Sequence, residues 1–117
     1  MQYILMAYLD ENVWPTMSKE QQEQGMAAYM AYGQALQTAG VIKGSNRLRP
    51  TSDATTVRTT GGKSQVLDGP YAETREQLAG YFLIDVPDLD AAISWASRCP
   101  AASHGSVEVR PIWSIQP

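Results

Sequence analysis

Histidine and carboxylate side chains are the groups in this sequence that could move a proton at neutral pH. His104 is the only histidine and precedes the last β-rich run, while Asp68 ends an earlier one. An imidazole titrates near neutral pH and a neighbouring carboxylate fixes its tautomer, so the two together are the minimum for general acid–base catalysis. Asp68 and His104 are therefore predicted as a catalytic pair. The alternative is that His104 is an ordinary surface residue of a loop.

Further tyrosine, glutamate and arginine side chains could bind an anionic or phenolic substrate. The predicted substrate-binding residues are Tyr8, Tyr71, Glu73, Arg75 and Tyr81. The polar cluster over residues 71–76 follows the turn Asp-Gly-Pro. This cluster is either a solvated helical turn or a polar patch at the mouth of a cleft.

Glu108 and Arg110 are charged residues two positions apart in the last predicted strand. Side chains alternate between the two faces of a strand, so these two share a face. Their spacing predicts an ion pair that stabilises the sheet or an interface rather than a catalytic role.

No motif in the sequence indicates a metal or a cofactor. One histidine cannot build a multi-histidine centre, and the sequence contains no P-loop, no Gly-x-Gly-x-x-Gly that opens a helix and no Gly-x-Ser-x-Gly. Cys99 stands beside Pro100 at a predicted helix end and is expected to be buried and inert. We therefore expect neither a metal nor a cofactor.

Length and charge restrict the class of protein further. The 117 residues suit a single domain over residues 1–117, with 44% hydrophobic and 18% charged residues, as in globular proteins. A net charge of −3 and scattered basic residues argue against nucleic acid as a partner. The apolar N-terminal run lacks a basic start, and no run approaches the length of a membrane span. With one cysteine and no intrachain disulfide, a cytoplasmic location without membrane contact is expected.

The predicted elements follow the order strand, helix, strand, strand, helix, strand once one hairpin is set aside. The strands are predicted over residues 2–9, 41–48, 80–86 and 107–113, and the hairpin over 54–60 and 63–68 around Gly61-Gly62. Ser18 with Gln21 predicts a capping box for the first helix, and Asp88 predicts the start of the second. This is the ferredoxin-like order βαββαβ, an α+β fold with an inserted β-hairpin.

Apolar positions in the first helix recur at helical spacing and predict its buried face. They are Met26, Tyr29, Met30, Gly33 and Leu36. Glycine inside a helix lowers its stability, so close packing against the sheet is the expected reason for Gly25 and Gly33. Trp14, in the preceding loop, is expected to fold back onto an apolar surface.

The first and third main strands are too apolar for a sheet with one face in water. Two helices cover only one face of a four-stranded sheet, and an exposed face normally shows clean alternation of polar and apolar residues. Gln2 to Leu9 and Tyr81 to Ile84 do not alternate in this way. We therefore predict a homodimer in which the two sheets face each other.

The run from Asp68 to Tyr81, Asp-Gly-Pro-Tyr-Ala-Glu-Thr-Arg-Glu-Gln-Leu-Ala-Gly-Tyr, resembles the signature of the YCII-related family in its DGPF-domain branch. Tyr71 stands where that branch usually has Phe. The resemblance covers essentially the whole chain, including the opening strand and the closing run Ser106 to Pro111. It implies a dimeric α/β barrel with a cleft between the sheet and the partner subunit.

The family resemblance also bears on function. Some shorter YCII-related proteins look like lyases or dehydrochlorinases that use a histidine on the first helix, with an aspartate near the end of that helix. The first helix of this chain has no histidine, so that pair cannot be carried over. Catalysis would have to recruit Asp68 and His104 instead. DGPF-type domains also resemble partners of alternative sigma factors.

Three functional hypotheses follow from these observations. The first is a cofactor-independent lyase or dehydrochlorinase-like enzyme that acts on a small molecule in the dimer cleft. The second is a non-catalytic ligand-binding, accessory or regulatory protein with a protein partner, by analogy with the sigma-factor partners. The third is a purely structural dimer.

Overall fold

A computed structural model describes residues 1–114 and places six β-strands and three α-helices along them. The strands are β1 (Gln2–Leu9), β2 (Ile42–Arg47), β3 (Thr55–Thr60), β4 (Lys63–Asp68), β5 (Gln77–Asp85) and β6 (Ser106–Pro111). The helices are α1 (Lys19–Thr38), α2 (Leu89–Arg98) and the short α3 (Ala101–His104). The predicted α+β class is confirmed. Residues 101–104, predicted as a loop, form α3, and β5 begins three residues before the predicted start at Gly80.

Four of the strands form one antiparallel sheet in the order β2-β5-β1-β6. In this sheet Tyr3 of β1 lies opposite Ile84 of β5, and Leu5 lies between Phe82 and Val109 on its two neighbours. Residues directly opposite each other in a ladder point to the same face. This set therefore defines one face of the sheet, and the helices pack against it.

The core between this face and the helices is built on apolar side chains from both layers. Leu5, Ile84 and Leu36 of α1 are fully buried, and burial of such a side chain stabilises a fold by about 1.5–3 kcal/mol. Tyr32 of α1 joins three elements at the same place. Its hydroxyl donates to the Trp95 carbonyl of α2 at 2.7 Å, and its ring meets Phe82 edge-on at 5.1 Å.

Both long helices begin at the predicted caps. The Ser18 hydroxyl accepts from the Gln21 amide at 3.1 Å, and the Gln21 side chain accepts from the Ser18 amide at 3.0 Å. Asp88 accepts from the Ala91 amide at 2.9 Å at the start of α2. These contacts satisfy backbone N–H groups that have no partner inside the helix.

The buried face of α1 is rotated from the predicted one. Tyr32 and Leu36 are buried and Tyr29 is half-buried, but Met26 and Met30 are 49% and 74% exposed. The prediction was wrong for these two methionines because α1 is apolar on more than one side. Its spacing therefore fits several faces, and contact with the sheet selects the one that carries the two tyrosines.

Trp14 folds back onto α1, and Gly25 makes room for it. A Cβ at Gly25 would lie 3.3 Å from Cζ3 of the Trp14 ring, and the Arg47 guanidinium stacks over that ring at 5.2 Å. The close approach is to the loop rather than to the sheet. Gly33 has no such neighbour, because nothing outside the helix lies within 4 Å of its Cβ position. The packing explanation predicted for Gly33 is therefore wrong.

Strands β3 and β4, together called the arm, pair only with each other and form a separate two-stranded sheet. Gly61 and Gly62 connect them with φ values of 58° and 79°, so the predicted two-residue hairpin is confirmed. At its base the Gly69 amide donates to the Ala54 carbonyl at 2.7 Å. Residues 70–76 then return to β5 without a helix.

We expect Gly80→Ala to destabilise the fold. Gly80 of β5 lies against β2, and a Cβ there would be 2.8 Å from the Asn46 carbonyl oxygen. The backbone of a central strand cannot move aside cheaply, so the free energy of unfolding should fall by about 1–3 kcal/mol. Urea denaturation measures it.

Gly33→Ala is the matched control, since its Cβ meets nothing outside the helix. Alanine favours a helix over glycine by roughly 0.5–1 kcal/mol, so this variant should be as stable as the parent or more so. Equal stability of the two variants would contradict the role assigned to Gly80.

Candidate functional site

One face of the four-stranded sheet is left uncovered by the helices, and we call it the open face. By register and alternation it carries polar and apolar side chains from all four strands. The central strands contribute Ile4, Met6, Tyr8, Tyr81 and Leu83, and the outer strands contribute Asn46, Ser106, Glu108 and Arg110. The predicted binding residues Tyr8 and Tyr81 therefore lie on this face.

Tyr81 is oriented by a neighbour that was not among the predicted site residues. The Asn46 side-chain amide of β2 donates to the Tyr81 hydroxyl at 2.8 Å, and the two residues lie directly opposite each other. The phenol oxygen keeps its own proton to donate. The alternation of β2 was the signal for Asn46, since it places this side chain on the open face once β2 and β5 are paired.

Glu108 and Arg110 form the predicted ion pair. Nη2 of Arg110 lies 2.6 Å from Oε2 of Glu108, and the two side chains are 67% and 41% exposed. Oε2 is itself withdrawn from solvent and receives no hydrogen bond of good geometry, so the contact is one of charge rather than of a directed hydrogen bond. A pair this exposed contributes about 0–1 kcal/mol to stability. It places opposite charges on a surface of mixed polar and apolar side chains.

A second polar group lies at the end of the sheet where β1 finishes and β5 and β6 begin. The Ser106 hydroxyl donates to Oε1 of Glu76 at 2.8 Å. Gly105 lies so close to β1 that a Cβ there would overlap the Tyr8 carbonyl oxygen. Only glycine therefore allows the chain to pass from α3 into β6 at this point. Glu76 was noted as part of the polar cluster, but its contact with Ser106 was not predicted.

The predicted catalytic residues lie in different parts of the chain. Asp68 is the last residue of β4 and lies opposite Thr55 in the arm. His104 is the last residue of α3, which packs on β1 and β6, and it is exposed. Within residues 1–114 of one chain, no hydrogen bond or ion pair joins the two. Their pairing stays a prediction.

The remaining predicted binding residues lie on the return from the arm to β5. Tyr71, Glu73 and Arg75 are all exposed, with Tyr71 at 76%. The Arg58 guanidinium of β3 stacks over the Tyr71 ring at 5.1 Å, which places Tyr71 beside the arm. The predicted site residues are thus divided between the open face, the arm with the return that follows it, and α3.

Two grooves of the described chain lie elsewhere. An open groove of about 810 Å³ lies at the other end of the sheet, between Met1, Asp85 and Trp113. The N-terminal ammonium lies 2.9 Å from Oδ1 of Asp85 there and holds the pKa of that carboxyl below its usual value. A smaller groove of about 270 Å³ lies at residues 47–50. Neither groove contains a predicted site residue, so the open face is the better candidate.

The buried titratable groups lie on the helix side of the sheet. Burial raises the pKa of Tyr29 to about 12 and also raises the pKa of the Cys99 thiol. Cys99 is 2% exposed. Its thiol is therefore protonated at neutral pH and shielded, which confirms the predicted burial and makes it a poor nucleophile.

In the described part of the chain, no three histidine, cysteine, aspartate or glutamate side chains converge as a metal site would require. Over the same residues, no helix combines the length and the apolar character needed to cross a membrane.

Comparison with known proteins places the whole chain in one family. Residues 1–116 match the family model of the YCII-related domain. A protein of Rhizobium meliloti (strain 1021), named only as uncharacterized, is 41% identical over 119 residues, which cover 100% of this chain and 96% of the relative.

Proposed function

This chain belongs to the YCII-related family, and on that premise we propose that it is a homodimer that binds a small molecule between its two sheets. The single observation that carries the proposal is the open face. A sheet with one face in water normally presents polar residues there. Apart from Gln2 and Asp85 at one end, the outward positions of β1 and β5 instead hold Ile4, Met6 and Leu83 with Tyr8 and Tyr81.

The proposed architecture is a dimeric α/β barrel. The order β2-β5-β1-β6, with helices on one face, supports a ferredoxin-like unit in which the arm is an insertion. A second copy facing the first would cover both open faces with one two-fold contact. The Asp-Gly-Pro-Tyr turn supports placing the chain in the DGPF branch of the family. We further propose a cytoplasmic protein, because its only cysteine is a buried free thiol.

The chemistry of the open face supports a ligand with an apolar body and a polar or anionic end. Ile4, Met6 and Leu83 offer an apolar floor, and the Tyr81 hydroxyl offers a hydrogen-bond donor. Arg110 lies beside that floor with its charge already paired with Glu108. A small aromatic or aliphatic carboxylate or a phenol fits this set. Such sites are mostly apolar, with few oriented polar groups.

The proposed reaction is cofactor-independent acid–base chemistry of the lyase or dehydrochlorinase type. In such a reaction a base removes a proton from carbon while a leaving group departs from the adjacent carbon. His104 is the proposed base, with Asp68 as the carboxylate that fixes its tautomer. Since these residues lie in different parts of one chain, they would have to meet across the dimer. The alternative is a non-catalytic protein with a regulatory partner such as a sigma factor.

Leu83→Lys should disrupt the proposed dimer. Leu83 lies opposite Ile4 on the open face. Burying a lysine ammonium there without a partner is unfavourable, so the dissociation constant of the dimer should rise more than tenfold, which corresponds to about 1.4 kcal/mol. Light scattering over a range of concentrations measures the mass. The parent should weigh twice 12.8 kDa.

Met30→Lys is the matched control for that experiment, because Met30 is 74% exposed on the helix side of the molecule. It should leave the dimer intact. A parent protein that is monomeric at all concentrations, or a Leu83→Lys dimer as tight as the parent, would contradict the proposed assembly.

A thermal-shift screen of small carboxylates and phenols should yield a compound that raises the midpoint of unfolding of the parent, because a ligand that prefers the folded state stabilises it.

Each compound that raises the midpoint is then incubated with the protein, and NMR measures its conversion to an elimination product. Asp68→Asn combined with His104→Ala should lower turnover by about 10²–10⁴-fold and should preserve binding. Glu23→Gln, an exposed change on α1, is the control. Full turnover in the double variant would remove both residues from the mechanism, and binding without any turnover would favour the regulatory alternative.

A further inference from the structure

The Tyr81 hydroxyl on the open face accepts a hydrogen bond but gives none within residues 1–114. The bond that it accepts comes from the Asn46 side-chain amide at 2.8 Å. The Tyr32 hydroxyl in the core, by contrast, donates its proton to the Trp95 carbonyl. A phenol both accepts and donates. Because the Tyr81 oxygen already accepts from Asn46, the function that it offers to a ligand is donation.

The backbone around Asn46 fixes this contact. Gly80 allows β2 to approach β5 closely, since a Cβ there would lie 2.8 Å from the Asn46 carbonyl oxygen. At the next residue of β2, the Arg47 guanidinium stacks over the Trp14 ring at 5.2 Å. The edge strand is thus held against β5 and against the loop before α1. This placement brings the short Asn46 side chain within reach of the Tyr81 oxygen.

Asn46 and Tyr81 begin a row of side chains that crosses the open face. Tyr81 lies opposite Met6 of β1, and Met6 lies opposite Glu108 of β6. Neighbouring strands are about 4.8 Å apart, so the Cα atoms of Tyr81 and Glu108 are about 10 Å apart. A single aromatic ring fits between the two ends of this row. It would lie over Met6, whose thioether makes favourable contacts with aromatic rings.

The charges along the row orient a ligand that carries a carboxylate. The far end of the row holds Glu108, whose Oε2 lies 2.6 Å from Nη2 of Arg110 and is withdrawn from solvent. A second carboxylate at that end would have to compete with Glu108 for the same guanidinium. At the near end it would meet the Tyr81 proton, and hydrogen bonds to charged groups are among the stronger ones. A ligand carboxylate therefore prefers the Tyr81 end.

We infer that Asn46 determines the ligand specificity of the open face, because it commits the Tyr81 proton to donation and so selects a small aromatic carboxylate whose ring lies over Met6. This inference rests on the ligand binding proposed above and narrows the ligand class from carboxylates and phenols to carboxylates. A ligand that can only donate would leave the Tyr81 proton without an acceptor, and such unpaired groups are a strong basis for rejection. Asn46 acts through Tyr81 and is a positioning residue.

NMR titration of the full chain with two matched probes tests the inference. Benzoate and benzylammonium carry the same ring, but at neutral pH the first can only accept hydrogen bonds and the second can only donate them. Benzoate should bind with a dissociation constant about tenfold lower or better. With methyl-labelled methionine, benzoate should shift the Met6 signal and leave that of Met30, which is 74% exposed on α1.

Asn46→Asp should reverse the preference between the two probes. The introduced carboxylate has nearly the shape of the amide but accepts the Tyr81 proton, so no donor remains for benzoate. Ser45→Asp is the matched control for charge. Ser45 is exposed on β2 and lies opposite Phe82, on the helix side of the sheet. This variant adds the same charge one residue away and should still prefer benzoate.

A double-mutant cycle shows whether Asn46 acts through Tyr81. Asn46→Leu keeps the size of the side chain and removes its donor, so it should weaken benzoate binding by about fivefold. The same change in a Tyr81→Phe background should have no effect on benzoate binding. An equal loss in both backgrounds would mean that Asn46 acts on the ligand or on the fold directly, and would overturn the inference.

The remaining outcomes separate this inference from the proposed function. An unchanged preference in Asn46→Asp, or an equal reversal in Ser45→Asp, would overturn the inference and leave ligand binding standing. Benzoate that binds without shifting the Met6 signal, or that fails to bind while a phenol from the thermal-shift screen does, would have the same consequence. A parent protein that binds no compound of that screen would overturn both.

Discussion

The uncovered apolar face of the four-stranded sheet is the constraint on which the rest of this structure depends. Helices α1 and α2 can cover only one side, and Leu5, Leu36 and Ile84 are the largest fully buried side chains there. The central strands present almost equally apolar residues to the other side. Apolar surface in water is unfavourable by about 25 cal/mol for each Å², so a second covering layer would lower the free energy considerably. The proposals for assembly and for ligand binding both start from this imbalance.

The polar residues of the open face gain their importance from the apolar ones around them. A tyrosine hydroxyl held by Asn46, or a charge contact between Glu108 and Arg110, contributes little where water competes. The same groups interact more strongly once water is excluded, since the effective dielectric constant falls. Covering the face would therefore turn a weakly polar surface into an oriented site.

Much of the fold could be predicted because its signals are local. The Ser18 capping box, the Asp88 cap and the Gly61-Gly62 hairpin each depend on residues a few positions apart. The exposure of Met30 could not be predicted, since α1 is apolar on more than one side and contact with the sheet selects its buried face. Neither could the pairing of Asn46 with Tyr81, because the register between distant strands decides it. The position of Asp68 on the arm was predictable, but its separation from His104 depends on how the arm leaves the sheet.

The most direct measurement of whether the open face is covered is hydroxyl-radical footprinting of the methionines in the native protein. Met6 lies on the open face, and Met30 is 74% exposed on α1. If a second copy covers the sheet, oxidation of Met6 should be slow at high protein concentration and should rise on dilution, while oxidation of Met30 stays constant. Oxidation of Met6 at the same rate at every concentration would contradict the covered face and the account built on it.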